Sequence, residues 1–227
     1  MLTAFGRDLW IFDGPEVVVA GFRYPTRMAV IRLADGSLFV WSPTALGNDL
    51  KSAVDALGAV RHVVAPNSLH HLFLAQWKQA YPDAGLHAPP GLRKKRPDFA
   101  FDADLTDGLG WDGEIDQVAV LGNRITTEVV FFHPKSGTVL FTDLLQRIPP
   151  GALSGWRAMV ARLDLMTGPE PQVPRKFRLA FTGRDAARAS LQRILAWPAR
   201  RVLIAHGAPV EADAQAVLRR AFRWLTG

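Results

Sequence analysis

One order of elements, run through twice, constrains this chain more than any single motif. In each half, short segments rich in β-branched and aromatic residues come first and helical periodicity follows. In the first half, residues 9–12, 17–22, 28–33 and 38–41 read as strands of antiparallel hairpins. Asp13-Gly14-Pro15 and Ala34-Asp35-Gly36, both strong turn formers, separate them. Asn48 or Asp49 can then cap a helix whose apolar residues Leu50, Val54 and Leu57 recur at helical spacing, with Gly58 at its end. A strand over 62–65, the turn Pro66-Asn67-Ser68, and a second helix follow. That helix buries a stripe of Leu69, Leu72, Phe73, Trp77 and Ala80 and stops at Pro82; a brief strand over 86–88 closes the half.

The second half repeats the order. Strands over 115–121, 127–132 and 139–142 precede helical patterns on Leu153, Trp156, Val160 and Leu163, and on Ala187, Leu191, Ile194 and Leu195. The strongly apolar strand 202–205 leads to His206-Gly207, and a last helix packs Ala214, Val217, Leu218, Ala221, Phe222 and Leu225. A sheet with one helical layer must bury its other face. Two such halves do so by packing sheet to sheet, which predicts a four-layer αββα sandwich, an α/β fold, in one domain over residues 1–227. Residues 89–112, with their prolines and mixed charges, read as one long surface loop. It carries the cluster Arg93-Lys94-Lys95-Arg96, expected to be exposed and not a duplex-binding surface, since groove reading needs a preformed helix or ribbon.

Composition narrows the chemistry. The chain has no cysteine, so a metal could be held only by His, Asp, Glu or Asn, and disulfides are excluded. The net charge of +6 comes mainly from arginines spread along helix faces, the pattern of a solvated surface, so no nucleic-acid partner is expected. No apolar run reaches the ~20 residues of a bilayer span, and the charged first fifteen residues lack a signal-peptide core. A soluble cytoplasmic protein without a membrane partner is the expectation.

Four of the six histidines fall just past strand ends: His70 and His71 after 62–65, His133 after 127–132, and His206 after 202–205. Asp143 ends 139–142 in the same way. Loops beyond strand ends are where sites are built on a rigid sheet, and His with Asp suits Zn, Fe or Mn. His62 and His87, at the start of one strand and inside another, read as structural.

These landmarks resemble the metallo-β-lactamase superfamily along nearly the whole chain. The stretch Pro66-Asn67-Ser68-Leu69-His70-His71 stands where that superfamily carries its HxHxDH motif, His133 resembles the next ligand, Asp143 the bridging Asp, and His206-Gly207 the closing ligand. On this register His71 matches the last His of the motif, His70 stands at its Asp, and Pro66 and Ser68 replace its first two histidines. Thr142 replaces the usual Gly before the Asp, and Ser42 stands where an early strand often ends in Asp. With Tyr24-Pro25-Thr26-Arg27-Met28, the set resembles a divergent domain-of-unknown-function family related to the superfamily.

The resemblance implies one divalent metal, zinc before iron or manganese, on His71, His133, Asp143 and His206, with His70 as a further ligand. Asp143 and His70 are the candidate proton acceptors, and Asn67 and Arg27 the candidate substrate contacts. The activity implied is mononuclear hydrolysis of a small anionic ester, thioester or phosphoester. A degenerate member that binds a ligand or protein without catalysis is the alternative, and a redox or oxygen-handling iron site the third.

Overall fold

The computed structural model describes residues 1–105, 111, 113–149 and 151–227. Two sheets face each other. The first orders seven strands as β1 (Thr3–Gly6), β2 (Leu9–Val19), β3 (Phe22–Arg32), β4 (Leu38–Trp41), β5 (Val60–Val64), β6 (Gly85–Ala88) and β7 (Ala103–Asp104). It is antiparallel through β4 and parallel beyond it. The second orders β11 (Arg201–Gly207), β10 (Thr138–Arg147), β9 (Glu128–His133) and β8 (Asp116–Val120), with β10 and β11 parallel.

Strand alternation fixes the layers. On β3, Met28 and Val30 join a core with Leu50 and Val54 of α1 (Asn48–Asp55) and Trp77 of α2 (Leu74–Ala80), while Ala29 and Ile31 face the other sheet. On β10, Val139 and Phe141 meet Leu191 of α6 (Arg184–Ala196) and Phe222 of α7 (Ala214–Thr226), while Leu140 faces inward beside Leu203. The result is the αββα sandwich that the repeated order of elements predicts. The six apolar residues expected to bury α7 are its buried residues.

Several boundaries differ, each for a local reason. The strand β2 runs through Asp13-Gly14-Pro15, because an irregularity between Gly14 and Val17 takes up the proline without ending the pairing. The turn falls instead at Ala20-Gly21, both left-handed, as a tight hairpin requires. The segment 89–112 includes a short helix, α3 (Leu92–Lys95), and β7, so most of the basic cluster is helical; Arg93, Lys94 and Lys95 are exposed. Residues 106–110 and 112 of that segment lie outside the described residues. The helix expected from Leu69 begins only at Leu74. The apolar side of α4 (Gly155–Leu163) is largely exposed, and Ala161 is its buried residue. Among the described residues no helix is long and apolar enough to cross a membrane.

Candidate metal centre

The centre grows from a break in the β10–β11 ladder. Pairing is regular to Phe141 and shifts before Gln146, so residues 142–144 need other partners for their amides. Glu128, at the start of β9 and fully buried, supplies them. Its carboxylate accepts the N–H groups of Thr142 (2.7 Å), Asp143 (2.8 Å) and Leu144 (2.9 Å). Burial and the neighbouring Asp143 charge push its pKa up to about 7. An irregular strand of this kind re-aims a side chain, here Asp143.

Asn67 ties the facing sheet to the same point. Its Nδ2 donates to Asp143 Oδ2 (2.7 Å) and Thr142 Oγ1 (2.9 Å), and its Oδ1 accepts from the amides of Leu69 and His70. An Asx-type turn of this sort competes with helix formation, which is why α2 starts late and why His70 is turned toward Asp143.

His206 ends β11. Its Nδ1 lies 2.7 Å from the Pro25 carbonyl, which can only accept, so Nδ1 carries hydrogen and Nε2 points at Asp143 Oδ1, 3.5 Å away. Arg27 clamps this end: its guanidinium donates to the carbonyls of Ile204 and Gly207 and pairs with Asp13 at 2.6 Å. Gly207 has φ +140°, and a Cβ there would collide with the Arg147 carbonyl. His70 Nδ1 sits 2.8 Å from Ser42 Oγ, and its Nε2 lies 3.2 Å from both Asp143 Oδ2 and His206 Nε2. One ligand atom from each of His70, Asp143 and His206 lies within 4.8 Å of the others; among the described residues no other such group occurs.

The three groups perturb one another's protonation. Burial pushes Asp143 toward the neutral form, but hydrogen bonds from His206 and His70 outweigh it and hold the carboxyl well below its usual range. Burial lowers His70 and keeps it neutral. Burial opposes charge on His206 as well, yet the Asp143 carboxylate and the Pro25 carbonyl raise it above its ordinary value. Two oriented Nε2 atoms and a carboxylate, with no thiolate, form a donor set that fits a divalent cation of the zinc, iron or manganese type.

The structure corrects four expected roles. His71 lies outside the group; its Nδ1 accepts from Arg96 at 3.0 Å, because the Asn67 turn directs its neighbour His70 inward instead. His133 pairs with Thr138 at the far end of β10 from Asp143 and bonds Ser136 Oγ at 2.9 Å, since β9 runs antiparallel to β10 and carries its C-terminal end away from the site. Asn67 is fully buried and Arg27 is engaged with backbone carbonyls, so both position ligands and neither offers a free group to a substrate. Ser42, noted in the sequence only as a departure from the superfamily's Asp, orients His70, and Glu128 was missed. Glu128 had a signal in the sequence: a lone acid opening the apolar strand Val129-Val130-Phe131-Phe132.

His133 has a consequence for acid stability. Burial, then the nearby Lys135 charge, lower it to about 4 from an ordinary 6.5. The fold therefore holds it neutral, and acid favours the unfolded chain. Stability from this group is intact above about pH 6.5 and is lost as pH falls toward 4. The melting temperature should fall across that window, and His133→Asn should flatten the slope. A residual slope should remain from His87, which burial also lowers to about 4.

The αββα sandwich, with a His/Asp group where its two sheets meet, defines a divergent metallo-β-lactamase-like fold. The chain belongs to the family described as Domain of unknown function (DUF4336), whose model matches residues 7–154. Solved structures agree on the fold. A metallo-β-lactamase from Pontibacter korlensis is 12% identical, with 100% of this chain and 99% of that one covered and a TM-score of 0.66. FIM-1 from Pseudomonas aeruginosa, in its mono-zinc form, is 12% identical over 100% and 96%, at 0.63. The metal-soaked Flv1 flavodiiron core from Synechocystis sp. PCC6803 is 13% identical over 100% of this chain and 60% of that one, at 0.67. Identities this low speak to fold alone. No curated protein sequence matches the chain.

Proposed function

We propose that this chain is a mononuclear metal-dependent hydrolase of a small anionic ester, thioester or phosphoester. The observation behind the reading is the convergence of His70 Nε2, His206 Nε2 and the Asp143 carboxylate, at 3.2 and 3.5 Å, in the lining of an open cleft. His70, Asp143 and His206 would hold the ion. When bound, a divalent cation supplies a Lewis acid that polarises an acyl or phosphoryl oxygen and makes water nucleophilic near neutral pH. The mono-zinc form of FIM-1 is in keeping with one ion on this fold.

The chain's own groups then have distinct parts. Ser42 and the Pro25 carbonyl fix the two imidazoles so that both Nε2 atoms face Asp143. Asn67 donates to Asp143 Oδ2 and holds the carboxylate in register, with Oδ1 turned toward His206 Nε2. Glu128 holds the backbone from which Asp143 projects.

A serine-based reading rests on one contact: Ser42 Oγ, His70 and Asp143 lie in line, and Ser42 has a left-handed φ of 52°. It places the serine on Nδ1, the reverse of the usual triad arrangement, and gives His206 no part. We therefore rank it second.

Protein purified without chelator should contain about one divalent ion per chain by elemental analysis, and ester or phosphoester hydrolysis should stop on EDTA treatment and return with Zn, Mn or Fe. Hydrolysis that survives EDTA and is lost to a serine-directed phosphonate would move the serine reading to first place. No metal, no metal-dependent rise in Tm and no turnover would leave a binding protein without catalysis.

A further inference from the structure

We infer that the cleft over His70, Asp143 and His206 binds an amphipathic anion, an apolar chain or ring bearing a carboxylate or phosphate, with Lys95 as the contact for its charge. The inference rests on the proposed hydrolase for the bond that is cut, but not for binding.

The cleft measures about 340 Å³, within the size of small-molecule sites. Its walls include Val17, Leu69, Leu72, Phe73, Ile125 and Phe177. Leu69, Leu72 and Ile125 are 37%, 56% and 43% exposed, although each stands beside a concavity. The Asn67 turn accounts for two of them. By capturing the amides of Leu69 and His70 it prevents the helix that would have buried Leu69 and Leu72 against the core. Apolar side chains turned out around a concave site are the expected lining for an apolar ligand body, and they leave little for a purely polar one to bond.

Charge at the cleft is one-sided. Among the described residues the single carboxylate in the lining is Asp143, already engaged by two histidines and Asn67. Both lysines of the lining come from elements that border it. Lys176 of α5 (Arg175–Ala180) is shared, with Asp164 at 3.6 Å and the Tyr24 hydroxyl at 3.1 Å. Lys95 is exposed, donates only to the Ser68 carbonyl at 2.8 Å, and pairs with no carboxylate among the described residues. An uncompensated ammonium above apolar walls selects a ligand with one anionic end.

The test is calorimetric titration of the full chain, before and after EDTA, with octanoate, octyl phosphate, octanol and acetate. We expect at least one of the two octyl anions to bind about tenfold or more tightly than octanol and acetate, with and without EDTA. The tighter head group distinguishes a carboxylate from a phosphate ligand. Lys95→Ala should weaken that anion about tenfold and leave octanol unchanged. Lys95→Glu, at the same exposed position and so compatible with the fold, should weaken it further. Octanol binding as tightly as both anions, acetate binding as tightly as octanoate, or anion affinity that ignores Lys95 or vanishes with EDTA would each overturn the inference. Octyl-anion binding without any turnover would sink the hydrolase alone. Metal-dependent turnover of short neutral esters without octyl-anion binding would sink this inference alone.

Discussion

Glu128→Ala is expected to lower the unfolding free energy by about 3 kcal/mol or more, the largest effect of any single substitution near the site. Its carboxylate accepts three backbone amides, from Thr142, Asp143 and Leu144, in a region buried from water. Each buried amide left without an acceptor costs ~1–3 kcal/mol, so three of them outweigh the relief of removing an acid beside Asp143. For a chain of 227 residues this amounts to a fall in Tm of roughly 10 °C. Glu128→Gln retains one acceptor oxygen and should fall between wild type and alanine. Thermal denaturation followed by circular dichroism measures both. An alanine variant melting with the wild type would mean that water or a shifted backbone satisfies these amides without Glu128.

The second large effect concerns the ion itself. Added zinc at about a hundred times its dissociation constant should stabilise the native chain by ~2.7 kcal/mol. At this chain length that is a rise in Tm of roughly 5–10 °C. In Asp143→Asn the rise should vanish, because the carboxylate between the two imidazoles is lost and a neutral amide is a poor ligand for these ions. Hydrolysis should vanish with it. The same variant without metal should also lose the raised basicity of His206, whose main support against burial is the Asp143 carboxylate. A titration of the His206 ring by NMR would register that drop independently of any activity. Retention of the zinc-dependent shift in Asp143→Asn would remove Asp143 from the ligand set.

Much of this was legible in the residues in order. Alternation of apolar side chains on strands such as β3 and β10 separates a helix-facing from a sheet-facing side, and the stripe on α7 is readable residue by residue. Asp143 and His206 were expected just past strand ends; both instead lie inside their strands, β10 and β11, beside the break in the ladder that joins them. The choice between His70 and His71 was not legible. The two are adjacent in sequence, and a helical entry would have presented the second.

The order of residues sets the pattern of faces, because burial is decided locally by which side of a strand or helix is apolar. Which polar groups meet depends on how the two sheets pack. Asn67 comes within 2.7 Å of Asp143, 76 positions away, and Arg27 reaches the carbonyl of Ile204 at 2.8 Å across 177. Such contacts require two sheets to be in register. His133 shows the same limit from the other side: its strand-end position suggested a ligand, but the antiparallel direction of β9 puts that end away from Asp143. Strand direction and sheet pairing follow from how the two halves pack, and no local period in the chain records them.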